Sequence, residues 1–283
     1  MKGQRNRRFL KHRRSTDDEG CATRASMLAP FSAWLVSVQE EIRADFGWSE
    51  ADDLASAVAV CEAAESHPMW SADNRLNTLK VVRASLLGDQ RPVAVLGAAV
   101  EAEDLDVLLD LDPHLVAADG SVGVLAELDP MGSPAGVDDG DGVVGAHWER
   151  LALVVSDADG WPHLQSAVER EVPIALHAHG DNRAQVEATL MRWSEENPPP
   201  IFLTHQTTSD LEGIYNPGGF TDGDRAICLL LSMGVSPERL ILVGYDEHTL
   251  GRWSGVTDEP IKRRKLGWMA KILDHMGYGD GGQ

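Results

Sequence analysis

Aspartates recur where short apolar runs give way to small residues: Ala118-Asp119-Gly120, Ser156-Asp157-Ala158-Asp159-Gly160 and Gly244-Tyr245-Asp246. In the second string two carboxylates one residue apart on an extended segment lie on the same side, where both can face one cation. Magnesium takes hard oxygen ligands, and one or two carboxylates completed by substrate phosphates and water suffice for it. Asp119 and Asp246, each ending another run, are candidates to complete the ring. Asp-Gly is also ordinary turn chemistry; its repetition at several run ends is what favours a functional reading.

Two further strings carry polar chemistry, His177-Ala178-His179-Gly180-Asp181-Asn182 and Thr204-His205-Gln206. His177 and His179 with His205 and Asp157 fit a zinc-hydrolase site in part, since residues i and i+2 of a strand face the same way. There is no HExxH and no third histidine at ligand spacing, so the competing reading is a polar loop, His179–Asn182, that grips a nucleotide phosphate or base. The string Thr221-Asp222-Gly223-Asp224-Arg225-Ala226 opens a predicted helix after the Gly218-Gly219 bend. Free N–H groups at such a start suit an anionic phosphate, and Asp222 or Asp224 also suits the N-cap; the two roles are compatible. No GxxxxGK[ST], GxGxxG or GxSxG string occurs, which leaves a P-loop kinase, a typical dinucleotide enzyme and an α/β-hydrolase unsupported.

The elements that must position these groups follow from periodicity. From residue 29 to about 87, apolar residues such as Trp34, Leu35, Val38 and Ile42 recur at helical steps and predict a small helical N-terminal segment, residues 27–90. From residue 91 on, apolar runs at 92–98, 114–118, 151–156, 173–178, 199–204 and 239–243 read as strands, each apolar throughout, as strands buried on both faces are. Predicted helices at 164–171, 182–196, 222–233 and 262–276 alternate with them. This rhythm implies an α/β domain over 91–277, an open, mostly parallel sheet with helices on both faces, whose ligand crevice lies at the carboxyl ends of its strands. Residues 129–148, rich in Gly, Pro and Asp, read as a surface insertion or a lid, and 278–283 as a disordered end.

Composition narrows the partners. The formal net charge is −20, with 45 acidic and 25 basic residues, and lysine occurs only at positions 2, 11, 80, 262, 265 and 271. Concentrated salt permits such a surface, because the Debye length falls to about 3 Å at 1 M, and a halophilic source is the expectation. Residues 1–26 hold eight basic residues against three acidic ones and read as a basic disordered tail or, with Met27 as the true start, a mis-assigned one. A long nucleic-acid interface is not expected from so acidic a chain. No apolar run approaches the ~20 residues of a membrane helix, so the expectation is a cytoplasmic protein without membrane partner. Three scattered cysteines indicate neither disulfide framework nor thiolate metal site. Oligomeric state is left open, a homo-oligomer included.

Taken in order, Ala117-Ala118-Asp119-Gly120, Val155-Ser156-Asp157-Ala158-Asp159-Gly160, the HAHGDN string at 177–182, Thr204-His205-Gln206 and the GGFTDGDRA string at 218–226 resemble the archaeal MptE-like 6-hydroxymethyl-7,8-dihydropterin pyrophosphokinases, over roughly residues 92–277. The resemblance implies a thiamin pyrophosphokinase-like catalytic domain, ATP as diphosphate donor, Mg²⁺ as cofactor, a pterin alcohol as acceptor and a place in archaeal folate or methanopterin biosynthesis. It implies that Asp119, Asp157 and Asp159 hold metal and polyphosphate. Gly97, Gly120, His179, Gly180, Asp181 and Asn182 would serve the nucleotide and pterin pockets. His205, Gln206, Asp222, Asp224, Arg225 and Asp246 would serve them too, and Arg225, Lys262, Arg264 and Lys265 are the cations to expect near phosphate. The chain departs from the family at Gly97-Ala98-Ala99-Val100, where a GxGPSL-type turn is usual; the change removes one close backbone approach and a hydroxyl. The alternatives are a metal-dependent, nucleotide-sugar glycosyltransferase-like protein, since similar domains occur in proteins linked to flagellin glycosylation, and a non-catalytic nucleotide-binding protein.

Overall fold

Runs apolar at every position, such as Val93-Ala94-Val95-Leu96, can be satisfied only where both faces of a strand are covered. The computed structural model describes residues 28–128, 144–255 and 258–279. In it the six predicted runs form β1 (Val93–Leu96), β2 (His114–Ala118), β3 (Leu151–Ser156), β4 (Ile174–Ala178), β5 (Ile201–His205) and β7 (Leu240–Val243). A two-residue strand, β6 (Ile214–Tyr215), is too short to carry a periodic signal and was not predicted. All seven pair in parallel in the order β6-β5-β4-β3-β2-β1-β7.

That order fixes the layers. From β1 to β6 the chain steps always in one direction, so right-handed crossovers leave their helices on one face. These are α4 (Ala102–Leu108), α5 (Gly123–Leu128), α6 (Val144–Arg150), α7 (Leu164–Glu169) and α8 (Arg183–Glu195). The chain then returns under β1, β2 and β3 through α9 (Asp222–Met233) to reach β7, and α10 (Glu259–His275) packs on that second face. Strand side chains alternate accordingly: Ala94 and Leu96 join the first core with Leu105 and Leu190, whereas Val93 and Val95 join the second with Ile227 and Ile272. Helix α10 starts three residues before its predicted start, because Pro260 falls in the first turn, where its missing N–H costs nothing, and Asp258 caps Ile261 N–H at 3.2 Å.

Among the described residues three α-helices precede the sheet, α1 (Trp34–Phe46), α2 (Glu50–Glu65) and α3 (Ala72–Leu87). They are divided between the two cores: Ala57, Val60 and Ala64 of α2 pack on the first face, Leu35, Val38, Leu79 and Val82 of α1 and α3 on the second. Helix α2 lies against β4, β5 and α8, and α3 against β3 and β5. The predicted tail 1–26 and most of the predicted insertion lie outside the described residues, residues 144–148 of the latter falling in α6. Tyr278, assigned to the tail by sequence, is buried and donates its hydroxyl to the Pro237 carbonyl at 2.9 Å.

Because α1–α3 complete both cores, a chain beginning at residue 91 would leave β4 and β5 partly uncovered. The expected result is loss of the cooperative thermal transition in residues 91–283, measured by calorimetry beside residues 28–283. A transition as sharp as the parent's would show that the α/β part folds alone.

Candidate active site

A fully parallel sheet brings its strand carboxyl ends to one edge, and the order reverses between β1 and β7, where neighbouring connections leave by opposite faces. An open cleft lies there, bordered by the carboxyl ends of several strands and by α9 and α10. The ends of β2 and β3 lie between the turns after β1 and β7 on one side and His179 and Gln206, after β4 and β5, on the other, and the start of α9 reaches the β7 turn, where Tyr245 donates its hydroxyl to the Gly223 carbonyl at 2.8 Å.

At the floor, Asp119, Asp157 and Asp159 each offer a carboxylate oxygen within 4.8 Å of the others. Asp119 follows β2 in a left-handed conformation, φ 49°. Its Oδ1 accepts from Ser156 Oγ at 2.5 Å and Gly160 N–H at 3.2 Å, which ties the end of β2 to that of β3. A Cβ at residue 160 would stand 2.6 Å from Asp119 Oδ2, so glycine is required there. The Asp157-Ala158-Asp159 segment is not extended as predicted. Ala158 adopts φ 72° and donates its N–H to Ser156 Oγ at 2.9 Å, so a tight turn, not strand alternation, brings the two carboxylates together.

The electrostatics follow from crowding. Burial, followed by the nearby Asp222, Asp157 and Asp159 charges, pushes the Asp119 carboxyl well above the usual range; burial and Asp157 raise Asp159. Burial and Asp157 push Asp222 up to about 8, against the opposing pull of Arg225. Burial alone would raise Asp157 as well, but the hydrogen bond and charge of His179 hold it far below the carboxylate range. His179 Nε2 meets Asp157 Oδ2 at 3.2 Å while Nδ1 pairs with Asp181. Burial would lower the imidazole's pKa, and these two carboxylates instead push it up to about 9. His179 is therefore an imidazolium at neutral pH, the conjugate of a deprotonated Asp157.

The cleft brings together most of the residues singled out in the sequence. Gly97, Asp119, Asp157, Asp159, His179 and Gln206 border it. So do Asp222, Arg225 and Asp246, with Lys262 and Lys265 from α10. Asp246 does not complete the carboxylate ring, since β1 separates β7 from β2 and its Oδ1 accepts from His248 N–H at 2.7 Å. Other predicted residues build the walls from behind. Asn182 donates to the carbonyls of Asp157 and His177 and accepts from His179 N–H, locking the loop after β4. Asp224 is fully buried and accepts from the N–H groups of Phe220 and Thr221 at the start of α9. Gly120 lies against the Trp253 carbonyl. His205 is buried, receives Thr207 N–H on Nδ1 at 3.2 Å and is not among the cleft-lining residues. His177 is fully buried with Nδ1 3.0 Å from Thr204 Oγ1, so the zinc-hydrolase arrangement weighed against the polar-loop reading does not form, and of His177, His179 and His205 it is His179 that borders the cleft. Arg264 is held by Asp45 outside the cleft.

In sequence comparison the chain is 36% identical over 103 residues to a 6-hydroxymethyl-7,8-dihydropterin pyrophosphokinase of Pyrococcus furiosus, covering 36% of this chain and 41% of that protein. It is 30% identical over 158 residues to the protein of the same name from Methanothermobacter thermautotrophicus, covering 51% and 64%. With that of Methanocaldococcus jannaschii it shares 26% over 212 residues, covering 73% and 76%. The matched stretches take in less than two thirds of the first two relatives. No protein-family model matches the chain.

The site also holds residues that sequence reasoning missed. Asp53, in the first turn of α2 and 2% exposed, accepts from Gly180 N–H at 2.8 Å and from Gln206 Nε2 at 3.0 Å, and lies 3.4 Å from Arg43 Nη1. Arg43 in turn donates to the Gln206 carbonyl at 3.0 Å. One carboxylate of the N-terminal helices thus fixes the loops after β4 and β5, and nothing in sequence separates it from the other acids that favour a helix start. Removing it strands a buried guanidinium. Asp53→Ala is expected to lower stability by about 3 kcal/mol, read by urea denaturation of the full chain; a loss below about 1 kcal/mol, the net worth of one ordinary hydrogen bond, would show that the network does not hold these loops.

Proposed function

We infer that this protein transfers a diphosphate from ATP to 6-hydroxymethyl-7,8-dihydropterin, releasing AMP. The observation that carries the reading is the Asp119, Asp157 and Asp159 trio at the floor of a two-ended cleft, in a chain similar to three archaeal proteins of that name. Trio and cation fit each other. Burial first, and then the charges of neighbouring carboxylates, raise Asp119 and Asp159, and a hard divalent ion relieves the repulsive part. Asp119, Asp157 and Asp159 would hold Mg²⁺, which when bound supplies charge neutralisation at the polyphosphate.

The remaining work falls to the chain's own groups. In transfer, the acceptor hydroxyl oxygen forms a bond to the β-phosphorus as the bond from that phosphorus to the oxygen bridging the α-phosphate breaks, and AMP leaves with that oxygen. Lys262, Lys265 and Arg225 border the cleft and can receive phosphate oxygens. His179 keeps Asp157 ionised and oriented. Asp222 borders the cleft with Oδ1 held by Arg225 Nη1 at 2.7 Å, and in its ionised form it can accept the hydroxyl proton. The acidic, lysine-poor composition supports work in concentrated salt, and an archaeal folate or methanopterin route would consume the product.

A second reading, nucleotide binding without transfer, is favoured by one feature. At the altered turn after β1, the N–H groups of Gly97 and Ala99 donate to the Val243 and Gly244 carbonyls at 2.7 and 3.0 Å instead of facing phosphate. An assay separates the two. AMP is expected from ATP and 6-hydroxymethyl-7,8-dihydropterin at molar KCl, dependent on pterin and abolished by EDTA. Asp157→Asn should lower kcat by about two to three orders of magnitude. Folded protein that binds ATP and makes no AMP would leave the binding reading in its place.

A further inference from the structure

The cleft has an aromatic wall beside Lys265, one of the cations assigned above to phosphate. Trp48 follows the Gly47 cap of α1, where φ is 71°, and borders the cleft together with Phe220. Phe46 backs Trp48 in a near-parallel stack, ring centroids 4.6 Å apart and planes 19° apart. Phe220 leans on both rings at 5.6 and 6.0 Å. Arg264 covers Phe46 at 4.4 Å, and Lys265 Nζ lies 5.7 Å from the Trp48 ring. Both are held by α10, so the Trp48 ring is fixed before any ligand arrives. A partly exposed indole braced in this way is a platform for a flat ring.

In-line displacement at phosphorus requires attacking and leaving oxygens on opposite sides. The two substrates must therefore flank the trio. Strand order supplies the two flanks, with the turns after β7 and β1 on one side of the β2 and β3 ends and the loops after β4 and β5 on the other. The first flank, where the strand order reverses, is lined by small residues such as Gly97, Ala98 and Gly251 and is the natural nucleotide end. Resting on the diphosphate-transfer reading above, the geometry points to Trp48, backed by Phe46 and flanked by Phe220, as the platform on which the acceptor's bicyclic heteroaromatic ring stacks. A residue of the N-terminal helices, outside the α/β part of the chain, then selects the acceptor.

The test uses the full chain with Trp48→Ala and Trp48→Phe, both checked for an unchanged thermal transition. Trp48→Ala should raise the KM for the pterin about tenfold or more while the KM for ATP stays within about twofold, the ordinary scatter of a change outside its site; Trp48→Phe should recover most of the loss. A larger rise in the KM for ATP, or no change in either, overturns the assignment. Direct titration with the fluorescent, oxidised 6-hydroxymethylpterin separates this inference from the transfer reading. Trp48-dependent binding without AMP formation keeps the platform and removes the transfer. AMP formation with a wild-type pterin KM in Trp48→Ala keeps the transfer and removes the platform. Absence of both removes both.

Discussion

Three carboxylates within 4.8 Å of one another are the constraint around which this edge of the sheet is organised. At 4 Å and an effective dielectric of about 20, each like-charged pair costs about 4 kcal/mol, so full ionisation of an isolated trio is not sustainable. The structure answers residue by residue. Asp157 is kept ionised by His179, Asp119 and Asp159 shift upward, and Ser156 and Gly160 donate to Asp119 Oδ1. The left-handed conformation at Asp119 is accompanied by these bonds and that at Ala158 by its own N–H bond to Ser156 Oγ, and backbone strain of this kind persists where the surroundings over-determine it. The trio is a stored repulsion that a cation would relax.

Holding such a site requires rigid support, and much of it comes from across the chain. Asp53 reaches the loops after β4 and β5, Gln39 donates to the Gly219 carbonyl beneath the start of α9 at 3.0 Å, and Glu50 accepts from Thr208 N–H at 3.1 Å. Each of these residues lies in or at the start of α1 or α2. The N-terminal helices therefore both complete the cores and set the loops that wall the cleft, so fold stability and site geometry are coupled through the same buried ion pair.

What was legible in the sequence follows from which forces are local. Strands buried on both faces announce themselves as unbroken apolar runs, and α9 by its Gly-Gly bend and acidic first turn, although its N-cap is Thr221, with Asp224 completing a capping box, and not Asp222 or Asp224 as expected. The carboxylates showed themselves by repeating at run ends. The short helices α4, α5 and α6 offer at most two turns and carry too little periodicity to be read. The Ala158 turn reads as extended in the sequence, because its left-handed conformation goes with a hydrogen bond from its own N–H to Ser156 Oγ and alanine gives no sign of it. Asp53 and Trp48 are illegible for a different reason: the partners that tie them to the cleft, Gly180 and Gln206 for Asp53 and Phe220 for Trp48, lie more than a hundred residues away in the chain, and a helix-start acid or a tryptophan after a glycine cap looks the same whether or not it meets a cleft.

The turn after β1 shows how the parts depend on one another. With Gly97 and Ala99 N–H groups committed to β7, that turn closes the β1–β7 reversal as a structural joint, and Trp253 N–H seals it further by donating to the Ala98 carbonyl at 3.1 Å. On the diphosphate-transfer reading, phosphate would then be met elsewhere in the cleft. The start of α9 supplies the positive end of a helix dipole, with Thr221 and Gly223 bordering the cleft, and α10 supplies Lys262 and Lys265. Both helices pack on the second face of the sheet, opposite the crossover helices. A loss of backbone amides at one turn is thus compatible with a phosphate site, provided that the second-face helices stay seated, and it is the α1 and α3 residues in that same core that seat them.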